Sequence, residues 1–313
     1  MTSPSKVTVA FIGTGVMGLP MAGHIMDAGH PLVMFNRTVS RAQPLVDHGA
    51  RLAASPGEAA AAADVVITMV GYPADVESIY LDEGGIIERA RDGAALIDMT
   101  TSSPTLAARV ASVAAERGLT AFDAPVSGGD IGARNATLSI MVGGDAKTFA
   151  RVEPLLHAMG SNVLLMGEAG AGQNTKMANQ IAIAGSMLGT VESLVYAQRA
   201  GLDPKRVLEA ISAGAAGSWS LTNLAPRILE EDFAPGFYVK HFLKDLNIAL
   251  TMAADMKLNL PGLECAKRLY WHLERNGGAN LGTQALWLLY ASDAARTRAG
   301  ISPRKRTTTA PKQ

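Results

Sequence analysis

Apolar positions follow two regimes along the chain. Up to about residue 167, short β-branched runs alternate with stretches of helical period, and beyond that point the apolar spacing is helical throughout. The first run, 7–12, is dense in Val, Phe and Ile, ends on a glycine, and reads as a buried strand. Leu19, Met21, Ala22, Ile25 and Met26 then recur at helical spacing, and Gly29 is placed to end that helix as its C′ residue. Further strands are predicted at 31–35, 64–70, 94–98, 120–125, 137–142 and 162–166. Helices are predicted at 40–48, from Ser55-Pro56, and at 74–80, 105–117 and 146–159. This alternation predicts an α/β fold, a Rossmann-type doubly wound parallel sheet whose ligands bind at the carboxyl ends of the strands.

In the second half, Asn174 is expected to cap a long helix bearing Ile181, Ala184, Met187, Leu188, Val191, Leu194 and Val195 on its apolar positions. Running to about residue 200, it would be roughly 40 Å long. Helices are also predicted at 204–212, from Ser218 or Ser220 towards Glu231, at 262–275 and at 282–295. Another carries Phe242, Leu246, Ala249, Leu250 and Ala253, with Lys244 and Asp245 off its apolar stripe. The expected organisation is a Rossmann domain at 6–167 and an all-α C-terminal domain at 168–297, joined by the long helix. The basic, Thr- and Pro-rich segment 298–313 is expected to be a disordered tail.

The chemistry begins at the first strand end. Gly13, Gly15 and Gly18 give the G-x-G-x-x-G spacing, with Thr14, Val16 and Met17 between them. Between a strand and a helix this spacing predicts dinucleotide binding, with the pyrophosphate at the helix N-terminus. The second strand ends in Asn36, Arg37 and Thr38, where an acidic residue would normally bind the adenosine ribose. An uncharged Asn36, the planar cation of Arg37 and the hydroxyl of Thr38 suit a 2′-phosphate, so NADP(H) is expected to be preferred and NAD(H) possible. Val70, Gly71, Tyr72 and Thr101 fall at later strand ends and are expected to line the cofactor cleft. Ser127, Gly128 and Gly129 offer a hydroxyl and open backbone N–H groups, a concavity suited to a carboxylate. Lys176 and Asn179 stand three residues apart, with Gln180 beside them, so all three share a helix face.

Composition narrows the classes. The 313 residues suggest about two domains, and 48% hydrophobic residues allow a substantial core. A formal net charge of zero argues against nucleic acid or an anionic membrane as the main partner. No apolar stretch approaches the roughly 18 residues of a membrane-spanning helix. The single cysteine, Cys265, fits a reducing compartment and a core position, and the six scattered histidines give no metal-ligand spacing, so no metal is expected. A cytoplasmic protein is expected.

These residues also resemble a family. The segments Phe11-Ile-Gly-Thr-Gly-Val-Met-Gly-Leu-Pro-Met21, Asp123-Ala-Pro-Val-Ser-Gly-Gly129, Gly170-Ala-Gly-Gln-Asn-Thr-Lys176-Met-Ala-Asn179-Gln180 and Lys244-Asp245-Leu246 are similar, in order, to four motifs of the β-hydroxyacid dehydrogenases. That family includes 3-hydroxyisobutyrate dehydrogenase, tartronate semialdehyde reductase and the glyoxylate/succinic semialdehyde reductases. The resemblance implies an NAD(P)-dependent oxidoreductase acting on a small 3-hydroxy acid or semialdehyde, working as a homodimer or homotetramer. It implies Lys176 as the general acid/base and Asn179 and Gln180 as substrate ligands. It further implies Ser127, Gly128 and Gly129 on the substrate carboxylate, Thr101 and Lys244 on the nicotinamide half, and Asp245 in support. Gln180 in place of Asn resembles the tartronate semialdehyde branch. A free lysine titrates near 10.4, so a working base needs a lowered pKa, for which Lys244 is a candidate nearby cation. Two other classes compete: an imine reductase, which commonly lacks a lysine at the Lys176 position, and a non-catalytic NADP-binding module, which would need only the first half.

Overall fold

The computed structural model describes residues 6–302; the stretch 303–313 of the expected tail lies outside them. The chain divides into two compact units between Ala178 and Asn179. The first is built on strands β1 (Val9–Ile12), β2 (Leu32–Phe35), β3 (Arg51–Leu52), β4 (Val65–Thr68), β5 (Ala95–Asp98), β6 (Thr120–Asp123), β7 (Val126–Ser127), β8 (Leu138–Gly143) and β9 (Gly160–Gly167). Their spatial order is β3-β2-β1-β4-β5-β6-β8-β7, with β9 on β8. All pairings from β3 to β6 are parallel, as expected. Beyond β6 the sheet is mixed: β8 runs antiparallel to β6 and β7, and parallel to β9. The chain doubles back there through the short helix Gly129–Arg134 and a left-handed turn at Ala136.

Both faces of the sheet are covered, which is why the strands read as continuous apolar runs rather than alternating ones. Val9 and Phe11 pack on one face with Met21, Ile25 and Met34, while Ala10 and Ile12 pack on the other with Ala59, Tyr80 and Leu96. The strand order reverses between β1 and β4, so a crevice opens at their carboxyl ends. The helix Gly18–Asp27 closes as expected, with Gly29 at φ +86° and the His30 amide donating back to the Ile25 carbonyl. The helix expected at 40–48 is instead a 3-10 turn, Val39–Arg41, and one turn of helix, Gln43–Val46.

The long helix spans Ala171–Arg199, and Asn174 is not its cap. Asn174 already lies inside the first turn, its amide bonded to the Gly170 carbonyl. The capping group is Asp123 at the end of β6, whose carboxylate accepts from the Gly170 and Gln173 amides at 2.7 Å each. That attachment keeps the first two turns of the helix in the first unit, so the division falls past the expected residue 167.

The second unit contains the rest of that helix and Pro204–Ser212, Trp219–Asn223, Ala225–Leu229, Val239–Asp255 and Pro261–Arg275. Its core centres on Phe242, Leu246 and Tyr270, the two rings meeting edge to face at 4.9 Å. The expected helix 282–295 is broken into a 3-10 segment, Thr283–Leu289, and a helix, Asp293–Arg298. The segment is tied to its neighbours: the Gln284 side chain donates to the Asp232 and Ala234 carbonyls, the Thr283 carbonyl accepts from the Tyr270 hydroxyl, and Ser292 caps the second helix anew. The first residues assigned to the tail are packed: Arg298 pairs with Glu231, and Ile301 is buried. Among the described residues no helix is long and apolar enough to cross a membrane.

At the end of β5, Asp98 is buried and accepts from the Thr68 hydroxyl at 2.8 Å and the Thr100 amide at 3.1 Å. Burial pushes its pKa up from 3.8 to about 6, with the Thr100 and Thr68 hydrogen bonds holding it back. A raised carboxyl pKa means the native state binds the extra proton, so this group's contribution to stability falls as pH rises through that window. Asp98→Asn carries no such proton. Its urea stability relative to wild type should therefore improve as pH rises from about 4 to about 6 and then level off. A difference that stays flat across this range would show that Asp98 does not titrate there.

Candidate functional site

The glycine turn leaves β1 at the switch point. Gly13 has φ +100°, and a Cβ there would run into the Met69 carbonyl oxygen at the end of β4. A Cβ on Gly18 would likewise strike the Gly13 carbonyl, so helix and strand can approach this closely only without side chains. Gly15 differs: an added methyl would meet nothing within 4 Å. The Thr14 hydroxyl oxygen in the same loop is buried without a hydrogen-bond partner. Open space at Gly15 and an unsatisfied donor at Thr14 fit a phosphate-bearing cofactor, because a phosphate supplies the acceptors that such a loop lacks. Val16 is exposed, and Met17 is partly covered.

Asn36 has a role the sequence pattern did not reveal. Its side-chain carbonyl accepts from the Thr14 amide at 2.9 Å, and its amide donates to the Thr38 carbonyl at 2.7 Å. It therefore ties the glycine loop to the end of β2. Arg37 is 90% exposed and meets Asp75 at only 3.7 Å, and Thr38 is exposed beside it. Asp75 also accepts from the Tyr72 amide at 3.0 Å. Val70 donates its amide to the Thr100 hydroxyl at 2.9 Å, which ties the Val70–Gly71 turn to the loop carrying Thr101.

Lys176 lies 6% exposed in the second turn of the long helix, and its Nζ donates to the Val126 carbonyl at 2.8 Å. Ser127 is the next residue, followed by Gly128 and Gly129, both at positive φ. The first unit thus brings Lys176 to the edge of the Ser127–Gly129 turn. Residues not singled out from the sequence make this arrangement possible. Asp123 fixes the helix start, and Gln173 donates to the Thr100 carbonyl at 2.7 Å and accepts from the Ser102 amide at 2.9 Å. Burial raises the Asp123 pKa, opposed by its bonds from Gly170 and Gln173. Its position at the carboxyl end of a parallel strand was the available signal.

The second unit holds the remaining candidates in one chain of contacts. Asn179 donates to the Gln180 side-chain carbonyl at 2.8 Å, and the Gln180 amide donates to Asp245 at 2.5 Å. The other Asp245 oxygen meets Lys244 Nζ at 3.1 Å. Asp245, expected off the apolar stripe, is fully buried. Each end of the Gln180 amide makes one bond within the protein, which makes it a link between Asn179 and Asp245. The Lys244 charge is met by its neighbour's carboxylate, so it is a compensated rather than a free cation. Burial and the two lysines Lys244 and Lys240 lower the His241 pKa.

Residues 8–167 match the family model for the NAD binding domain of 6-phosphogluconate dehydrogenase. Residues 170–290 match that for the NAD-binding domain of NADP-dependent 3-hydroxyisobutyrate dehydrogenase. An uncharacterised oxidoreductase of Bacillus subtilis is 53% identical, covering 91% of this chain and 99% of the relative. The 2-hydroxy-3-oxopropionate reductase of Escherichia coli is 40% identical, covering 89% of this chain and 95% of that enzyme. This chain belongs to the β-hydroxyacid dehydrogenase family. A structure of Mycobacterium tuberculosis 3-hydroxyisobutyrate dehydrogenase with L-serine superimposes with a TM-score of 0.85 at 32% identity, covering 92% of this chain and all of that one. The protein is accordingly an NAD(P)-dependent oxidoreductase acting on a CH–OH group.

The two kinds of glycine separate fold from binding. Gly15→Ala should leave the melting temperature of the cofactor-free protein unchanged yet weaken NADPH binding by at least about tenfold, or about 1.4 kcal/mol. Gly18→Ala should lower the melting temperature, as overpacking costs about 1–3 kcal/mol. Undiminished NADPH binding by Gly15→Ala would remove this loop from the phosphate site.

Proposed function

We propose that the enzyme interconverts a small 3-hydroxy acid, such as 3-hydroxyisobutyrate, and its semialdehyde, with NADP(H) preferred over NAD(H). The observation that carries this reading is the buried Lys176 ammonium held against the Val126 carbonyl, one residue from Ser127 and its two glycines. The nicotinamide, when bound, supplies or accepts the hydride at the carbinol carbon. Gly13, Thr14, Gly15, Val16, Met17 and Gly18 would hold the pyrophosphate, and Arg37 and Thr38 the 2′-phosphate, with Asn36 shaping the loop between. Val70, Gly71, Tyr72, Thr101 and Lys244 would border the rest of the cofactor. Ser127 and the amides of Gly128 and Gly129 bind the substrate carboxylate. Lys176 Nζ then gives its proton to the developing alkoxide in reduction, and takes the hydroxyl proton in oxidation. Asn179 orients the substrate hydroxyl, itself held by Gln180 and Asp245.

A second reading, reduction of 2-hydroxy-3-oxopropionate, is favoured by Gln180 and by the name of the Escherichia coli relative, 2-hydroxy-3-oxopropionate reductase. NADPH oxidation with a panel of small semialdehydes, glyoxylate and a cyclic imine separates these readings. Exposed Tyr196, Trp219 and Trp271 on the second unit support a homodimer or homotetramer, and a cytoplasmic setting fits the single Cys265.

Arg37→Glu should raise the KM for NADPH much more than that for NADH. An unchanged NADPH-to-NADH ratio would refute the 2′-phosphate assignment. Lys176→Met should lower kcat by about 10²–10⁴-fold, the usual contribution of general acid–base catalysis, while NADPH still binds. Full activity in that variant would reject Lys176 as the proton donor, and loss of NADPH binding would place it with the cofactor instead.

A further inference from the structure

Two segments of the first unit that carry proposed site residues are bridged by one side chain. Gln173 is fully buried one helical turn before Lys176. Its backbone amide donates to Asp123, which caps the helix. Its side chain reaches the other way, accepting from the Ser102 amide and donating to the Thr100 carbonyl, and so grips the backbone on both sides of Thr101. Thr100 in turn accepts from the Val70 amide through its hydroxyl and donates its own amide to Asp98. The loop after β5 and the turn bearing Lys176 are therefore joined through a single primary amide, and the Thr100 hydroxyl ties that loop to the end of β4.

We propose that Gln173 is a positioning residue that sets Thr101 and Lys176 relative to one another, so that hydride and proton transfer, rather than nucleotide binding, depend on it. This rests on the reading of Lys176 as the proton donor. The chemistry required at this point is an acceptor for an N–H and a donor for a C=O in one plane. A glutamine amide supplies both. An ionised glutamate would present two acceptors, satisfying Ser102 but setting negative charge against the Thr100 carbonyl. A protonated glutamic acid would restore the missing donor. Methionine fills the same space and leaves both backbone groups unpaired.

The test compares wild type, Gln173→Met and Gln173→Glu by single-turnover NADPH oxidation, by NADPH fluorescence titration and by melting temperature. In Gln173→Met, kcat should fall about 10²-fold, the scale expected for misplacement of about 1 Å, while the NADPH dissociation constant holds. In Gln173→Glu, activity relative to wild type should recover as pH is lowered, with an apparent pKa above that of free glutamate because burial favours the neutral acid. Wild-type rates in both variants would overturn the proposal. So would a fall of kcat, NADPH affinity and melting temperature in step, with no acid recovery in Gln173→Glu, because that pattern describes a residue that only holds the fold. If wild type itself reduces no member of the substrate panel, the functional reading fails separately. Hydrogen exchange at the Ser102 amide then decides the clamp: faster exchange in Gln173→Met supports it, and unchanged protection overturns it.

Discussion

The carboxylate of Asp123 makes the contact on which the rest of the site depends. A helix beginning at residue 171 leaves its first amides without intrahelical acceptors. Asp123 takes two of these amides from across the sheet edge, where the dipole of the helix also favours its charge. Hydrogen bonds to a charged group are worth about 1.5–3 kcal/mol each, enough to offset much of the cost of burying the carboxylate. The geometric result matters more than the energy. The first turns of the long helix are attached to β6, and the strand that follows β6 contains Val126, the acceptor for Lys176. One short stretch, 123–129, thus caps the helix, holds its lysine and supplies the proposed carboxylate turn.

What the sequence made legible was local. Glycine spacing between a strand and a helix, the Ser-Gly-Gly turn and the lysine on a long apolar helix each announce themselves within a dozen residues, and the family motifs reinforce them. The bonds that organise these pieces are distant. Asp123 meets its partners 47 and 50 residues later, and Gln180 meets Asp245 across 65. Periodicity carries no record of such pairs. Asn174 shows the consequence: it has the chemistry of a cap and sits where one was expected, but a carboxylate from another strand had already satisfied the turn before it. Asp245 shows the same from the other side. A carboxylate breaks an apolar stripe when its partners are unseen, and completes the core once Gln180 and Lys244 are in place.

The boundary between the units follows from this attachment. A cut placed at the change from mixed to helical periodicity falls near residue 167, and the family models divide the chain between 167 and 170. Packing divides it later, inside the helix, because two turns of that helix are bound to the sheet. Lys176 therefore belongs to the same rigid neighbourhood as the turn at Ser127, while Asn179 begins a second, internally bonded set with Gln180, Asp245 and Lys244. Lys176 makes its bond to Val126 within the first unit, and Gln180 makes its bond to Asp245 within the second.

At the opposite end of the crevice, choice of cofactor falls on fewer residues than the pattern Asn36-Arg37-Thr38 suggests. The Asn36 amide makes one bond at each end within the loop itself, so its visible contribution is to hold Thr14 and Thr38 in place. That leaves Arg37 and Thr38. Arg37 is nearly fully exposed, and its contact with Asp75 at 3.7 Å is too long and too wet to fix it. A side chain in this state keeps its rotamer freedom until an anion arrives, and its ordering then subtracts from the gain of each new hydrogen bond. Asp75 adds a second cost, since a 2′-phosphate must draw the guanidinium from a carboxylate already beside it. The proposed preference for NADP(H) would thus be a difference between two ion pairs of one arginine, its size set by how much better a planar cation binds a phosphate bidentately than a carboxylate loosely.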